Sequence, residues 1–250
     1  MKVLFAGQVP KELQFPEDIE DALKMTADDS RLVISDGASE SFDSKTWARL
    51  LVSSFVQCPE LNESWLANAI SRFAARFDFA NLSWSKQAAF TRGSFATLLA
   101  VDQSTGPDNV NITSVGDSLA VFLDSGELLQ SFPYVQAEEF QQRPQLLSTN
   151  TISNTFVTSQ DFLANHQKTW SLQGRSDPVI LCMTDALGAW ALRHSQNGNP
   201  RWQQLAQIRD VTELESLVIQ ERDAKTLRVD DTTLVILSFL ERQQDELPES

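Results

Sequence analysis

Apolar and polar positions alternate along this chain in a mixture of short runs and helical stripes. Lys2 to Phe5 and Ala22 to Met25 read as strands, and Arg31-Leu32-Val33-Ile34-Ser35 as a buried strand rich in β-branched residues. A helix follows from about Ser44 to Val56, with Trp47, Leu50, Leu51 and Phe55 on one stripe and Asp43 placed to cap its start. Trp65, Ala69, Phe73 and Phe77 recur every four residues and predict a second helix from about Ser64 to Phe79. Trp84 to Phe90 predicts a third. Strands return at Ser94 to Val101, Val110 to Ser114 and Leu119 to Leu123. The turn Asp124-Ser125-Gly126-Glu127 leads into Leu128 to Phe132. The polar stretch from Tyr134 to about Thr151 is expected to be a surface excursion, and Phe156 to Leu163 fits a helix or a strand equally well. Pro178 to Met183 is a strongly apolar strand. Helical patterns cover Ala186 to Arg193, Trp202 to Gln207 and Thr212 to Arg222. Thr232 to Leu240 is the last strand, before a polar tail expected to fray.

Strand runs and helix runs are segregated, which predicts an α+β layering. No repeat, low-complexity block or linker divides the 250 residues, so residues 1–250 are expected to form a single domain. The 42% hydrophobic content and the modest nine glycines and nine prolines suit a packed core. No apolar run reaches the ~20 residues of a membrane span, and the N-terminus lacks the pattern of a signal peptide. Cys58 and Cys182 lie far apart, and Cys182 sits within an apolar run, so a reducing, cytoplasmic setting is expected. A net charge of −14 argues against nucleic acid and anionic membrane as partners.

The charge also has a pattern. Asp36, Asp117 and Asp185 each follow an apolar run, Asp230 stands just before one, and Asp21 just precedes a weaker strand. Any one of these suits a turn cap. Five at strand ends, four of them beside Gly or Ala, suit convergence at one rim of a sheet, where carboxylates would repel unless a cation neutralised them. Oxygen-only ligation favours magnesium, manganese or calcium over zinc. Other chemistries find little support. His166 and His194 are the only histidines, which disfavours a histidine triad or a zinc site. Neither a P-loop nor GxGxxG is present, and the flanks of Ser39 and Ser41 form no nucleophile elbow.

Six pieces in order, from about Glu20 to Ser238, give the chain a likeness to a known family. They are Glu20-Asp21-Ala22, Ser35-Asp36-Gly37-Ala38-Ser39-Glu40-Ser41, Gly93-Ser94-Phe95-Ala96-Thr97, Val115-Gly116-Asp117-Ser118, Thr184-Asp185-Ala186-Leu187 and Asp230-Asp231-Thr232-Thr233. In these the chain resembles the metal-dependent serine/threonine protein phosphatases of type 2C, particularly their small bacterial members. The resemblance implies two antiparallel β-sheets packed as a sandwich, with helix pairs on both outer faces. It implies two divalent cations, Mn or Mg, and a possible third. Asp36 would bridge two of them and the Gly37 carbonyl would bind one. Asp185 and Asp230 would complete the ligands of the other. Glu20 and Asp21 match an acidic pair that holds metal-bound waters, and Asp117 matches an acid at the third metal. The implied reaction is direct attack of a metal-bridging water on a phosphoserine or phosphothreonine protein, with a kinase-linked partner. The alternative is a phosphatase-like regulatory or binding module with weak or no turnover.

The stretch Gln14-Phe15-Pro16-Glu17-Asp18-Ile19-Glu20-Asp21 departs from the resemblance: it lacks the arginine that grips the substrate phosphate. Lys11, Arg31 and Arg92 are candidates to replace it, and Arg92, beside Gly93-Ser94, is the first choice for substrate binding. Ala186 stands where many relatives carry glycine, and keeps the residue small.

Overall fold

A computed structural model describes residues 1–239. Twelve strands form two five-stranded antiparallel sheets and one small ribbon. The first sheet has the order β1 (Lys2–Val9), β12 (Thr232–Ser238), β11 (Pro178–Met183), β7 (Leu119–Asp124), β8 (Glu127–Phe132). The second runs β10 (Gln167–Ser171), β6 (Asn109–Val115), β5 (Leu98–Asp102), β3 (Arg31–Ser35), β2 (Ala22–Met25). The ribbon pairs β4 (Phe95–Ala96) with β9 (Leu147–Ser148).

Three apolar clusters show how the layers stack. Leu32, Ile34, Leu99 and Ile112 of the second sheet meet Phe122, Ile180, Cys182 and Leu237 of the first, which closes a sandwich. The outer face of the second sheet is covered by α1 (Ser44–Gln57) and α2 (Glu63–Ala74) through Trp47, Leu51, Leu66 and Phe73. The outer face of the first is covered by α5 (Asp185–Gln196), α6 (Trp202–Ala206) and α7 (Val211–Asp223) through Leu187, Trp190, Leu205 and Leu214. The continuous apolar runs of β3, β11 and β12 follow from this arrangement: each strand is buried on both faces, so no polar alternation survives. The two sheets with outer helices are the expected four-layer α+β architecture.

Each difference from expectation has a physical cause. The second helix stops at Ala74, because Phe77 leaves the helical stripe to join Phe42, Phe73 and Phe90 in an aromatic cluster. Ser94 to Val101 splits at Thr97, whose N–H turns to the Asp36 carbonyl at 2.9 Å. The segment from Tyr134 to Thr151 is not wholly a surface excursion. Leu147 and Ser148 are fully buried, and the Trp47 indole donates to the Leu147 carbonyl at 2.9 Å. The ambiguous stretch Phe156 to Leu163 is helical at both ends: it takes in the last residues of a 3-10 helix, Thr151–Thr158, and the start of α4 (Phe162–His166). The next strand, β10, alternates too weakly to be read, since Trp170 alone of its residues is buried. Leu240 and the polar tail lie outside the described residues. The third helix of the chain, α3 (Trp84–Arg92), leads into the Gly93 turn before β4.

Candidate metal and phosphate site

Asp36, Asp117, Asp185 and Asp230 line one open cleft of about 300 Å³, together with Gly37, Thr97, Pro144 and Leu146. Each acid arrives from a different strand end. Asp36 is the first residue past β3. Thr97 holds it from two sides, since Thr97 Oγ1 accepts the Asp36 N–H at 2.8 Å while the Thr97 N–H donates to the Asp36 carbonyl. Gly37 then bridges to Ala96, in a space where an added Cβ would stand 3.0 Å from the Glu20 carbonyl oxygen and from Ser44. Asp117 sits in the turn between β6 and β7 that Gly116 opens with φ of 102°. Asp185 is the first residue of α5, at the end of β11, where the partial positive charge of the helix N-terminus favours an acid. Asp230 directly precedes Asp231 and β12.

The acids carry the electrostatic signature of crowding. Burial, and then the charges of Asp21, Asp185, Asp117 and Asp230, push the Asp36 carboxyl well above the usual range. Burial and Asp185 raise Asp117 to about 7. Burial and Asp185 also raise Asp230, against the opposing pull of Arg228. Among the described residues no side chain hydrogen-bonds the Asp36 carboxylate, and Asp185 Oδ1 is buried without a partner.

The acidic pair before β2 stands beside the cleft. Asp21 is 2% exposed and ties the two sheets together: its Oδ2 accepts from Thr184 Oγ1 at 3.1 Å and from Thr233 Oγ1 at 2.5 Å. Its Oδ1 is buried and unpartnered, and burial raises its pKa to about 8. Glu20 has its carboxylate oxygens engaged by Lys11 Nζ at 2.8 Å and by the hydroxyls of Ser39 and Ser44. Burial alone would raise Glu20, but those three donors together bring it below its ordinary value.

The cationic candidates fall in different places. Lys11 is held by Glu20 and Ser39. Arg31 is 9% exposed and engaged by Asp102 at 2.6 Å and the Val56 carbonyl at 3.1 Å. Arg92 lines a separate groove of about 600 Å³ with Arg143, Phe42 and Phe156, which adjoins the carboxylate cleft along Ala38, Glu40, Pro144 and Leu146. The cation on the acids themselves is Arg228, which sequence reasoning missed. Its Nη2 donates to Asp185 Oδ2 and, at 2.9 Å, to Asp230 Oδ2. The one signal was its position, two residues before Asp230. Sequence reasoning also missed Asp231, a 4% exposed carboxylate that anchors the chain around Glu20, and Arg222, which holds the Pro10 and Asp230 carbonyls from α7.

The donor set suits hard divalent cations: it offers only oxygens, its members repel one another, and Asp185 Oδ1 lacks a partner. The acids are spread across the cleft, however, and among the described residues no three Asp, Glu, His or Cys side chains stand close enough to hold one ion.

Neither the family models nor the curated proteins contain a match to this sequence. Solved structures do. The serine/threonine phosphatase PstP/Ppp of Mycobacterium tuberculosis superposes with a TM-score of 0.55 at 15% identity, over 93% of this chain and 96% of that one. The chain has the fold of the type 2C protein phosphatases. A serine/threonine phosphatase from Staphylococcus aureus matches at TM-score 0.53 and 17% identity, over 96% of each chain. The catalytic domain of PstP in complex with two manganese ions matches at 0.52 and 16%, over 95% of this chain and 96% of that one. Among the described residues no helix is long and apolar enough to cross a membrane.

Proposed function

We propose that this chain is a metal-dependent phosphoprotein phosphatase that hydrolyses phosphoserine or phosphothreonine. One observation carries the reading: four aspartates from four separate strand ends share a cleft, and their mutual repulsion is only partly relieved. The fold shared with serine/threonine phosphatases, one of them holding two manganese ions, supports it. Asp36, Gly37, Asp185 and Asp230 would hold two cations, Mn or Mg, and Asp117 a third. Such cations supply Lewis acidity for the attack of water on phosphorus and neutralise phosphoryl charge. The chain's own contribution is placement. Thr97 fixes the Asp36 backbone, Asp21 braces β11 and β12 behind the acids, and Lys11, Ser39 and Ser44 hold Glu20 ionised at the flank. The cleft is open, which suits a side chain presented by a protein substrate. The −14 charge disfavours nucleic acid, and the two cysteines, one exposed and one buried, are in keeping with a reducing cytoplasm.

A second reading is a phosphatase-like binding module with weak turnover. The placement of Arg228 on Asp185 and Asp230 favours it, because a guanidinium there competes with a cation. Manganese-stimulated hydrolysis of a phosphothreonine peptide separates the two. The phosphatase reading expects turnover that requires manganese and disappears in Asp36→Asn. A folded, manganese-binding protein without turnover would leave the binding module.

A further inference from the structure

A phosphoryl group entering this cleft meets four carboxylates, so its dianion needs a cationic partner from the protein as well as any bound metal. Lys11 is committed to Glu20 and Ser39, Arg31 lies in a nearly closed pair with Asp102, and Arg92 belongs to the adjoining groove. Arg222 spends its guanidinium on the carbonyls of Pro10 and Asp230 and on Thr232. Arg228 differs from all of these. It bonds two cleft acids through Nη2 alone, and its Nε and Nη1 donate to no described residue. Its side chain is 58% exposed, while that of Asp185 is 14% exposed, so the arginine reaches the acids from the solvent side.

We propose that Arg228 is the residue that grips the phosphoryl oxygens of the substrate, and that cations free it for this task by taking Asp185 and Asp230. The inference rests on the phosphatase reading and names the substrate grip of that site. The arginine's own end of the pair is exposed, so releasing it costs little once a cation takes over the two acids. A divalent cation is the stronger partner for Asp185 and Asp230. The displaced guanidinium stays within a side chain's length of the same acids, next to where the phosphoryl group must sit. Its planar array of N–H donors suits two phosphoryl oxygens at once. In the cation-free chain the same residue neutralises part of the acid cluster, which gives Arg228 a use in both states.

The experiment compares the full chain with Arg228→Met and Arg228→Lys. Calorimetry measures manganese affinity without phosphate, then inorganic phosphate affinity at saturating manganese, and steady-state kinetics give KM and kcat for a phosphothreonine peptide. Arg228→Met is expected to bind manganese more tightly, because a competitor is gone. It is expected to bind phosphate about tenfold more weakly and to raise KM by a similar factor. Arg228→Lys should recover part of the phosphate affinity, as a cation without the fork. Unchanged phosphate affinity and KM in Arg228→Met would overturn the proposal, as would weaker manganese binding by that variant. If the unaltered chain shows no manganese-dependent hydrolysis, the phosphatase reading fails and this inference with it. If the unaltered chain is active and Arg228→Met matches it in every constant, the assignment of Arg228 alone fails. Melting curves of the three proteins confirm that differences arise in folded material.

Discussion

Asp231 Oδ2 accepts the backbone N–H of Glu20 at 2.7 Å, across a sequence separation of 211 residues. Its other oxygen accepts the Lys11 N–H at the same distance. A 4% exposed carboxylate therefore closes the chain's first loop onto the start of β12, and it fixes the backbone from which Glu20 and Asp21 project. Asparagine at this position has one acceptor oxygen for two N–H groups, and its amide would face a donor. Asp231→Asn is expected to lower stability by about 1–3 kcal/mol, the cost of a buried donor left unsatisfied. Urea unfolding checks this, and an unchanged midpoint would mean that solvent reaches those N–H groups.

The acid cluster predicts an inverted pH dependence. Asp21 and Asp117 have folded pKa values raised to about 8 and about 7, and Asp36 and Asp230 are raised as well. A carboxyl raised on folding keeps its proton longer in the native state. Its contribution is full below the unfolded value, near 4, and is lost as pH rises through the folded value. Glu20 is lowered, so its contribution is lost only as pH falls through the acid range. Without divalent cations the chain should melt at a higher temperature near pH 5 than near pH 8. Saturating manganese should raise the melting temperature more at the higher pH, because ligand binding to the native state alone is stabilising and ionised acids bind cations best. Thermal melts in chelator and in manganese at both pH values test this. A cation-free melting temperature that rises with pH would contradict it.

The sandwich was legible because burial on both faces leaves an unmistakable mark: the apolar runs of β3, β11 and β12 carry no polar alternation. The acids were legible for a related reason, since Asp36, Asp117 and Asp185 interrupt or end such runs and stand out against them. What stayed hidden depends on partners distant in sequence. Phe77 obeys the helical stripe locally, yet the pull of Phe42 and Phe90 draws it out of the helix. Leu147 lies in a polar neighbourhood, yet its side chain joins the apolar cluster under α1 and its carbonyl accepts from the Trp47 indole, 100 residues away. Arg228 has no local pattern beyond its place two residues before Asp230. Its role appears when Asp185, 43 residues away, is brought to it by the β11–β12 pairing.

Arg31 was one candidate for the phosphate grip, and its surroundings predict a different loss. Its guanidinium bonds Asp102 at 2.6 Å and the Val56 carbonyl at 3.1 Å, with side-chain exposures of 11% for Arg31 and 16% for Asp102. Removing one partner of a mostly buried pair strands the other charge. Arg31→Ala is expected to destabilise the fold by about 3 kcal/mol, at the lower end for buried pairs because some solvent reaches this one. At temperatures where the variant remains folded, its KM for a phosphopeptide should match that of the unaltered chain. A raised KM with little loss of stability would place Arg31 at the substrate instead.

Gly116 connects backbone geometry to the cleft. Its φ of 102° lies where side chains are strained, and an added Cβ would stand 2.7 Å from Thr97 Cγ2 and 2.8 Å from Thr97 Cβ. Thr97 cannot yield freely, because it is 2% exposed and grips Asp36 through both its hydroxyl and its N–H. Gly116→Ala therefore strains the turn that carries Asp117 and pushes on the residue that positions Asp36. The expected cost is about 2 kcal/mol or more of stability, from backbone strain and overpacking together. Manganese affinity should fall in the same variant, because two acids of the cleft move. Adding Thr97→Ser removes Cγ2 but leaves Cβ at 2.8 Å, so relief should be partial. Melting curves and manganese calorimetry on both variants decide the matter. Lowered stability with manganese affinity intact would mean that the turn absorbs the strain before it reaches Asp36.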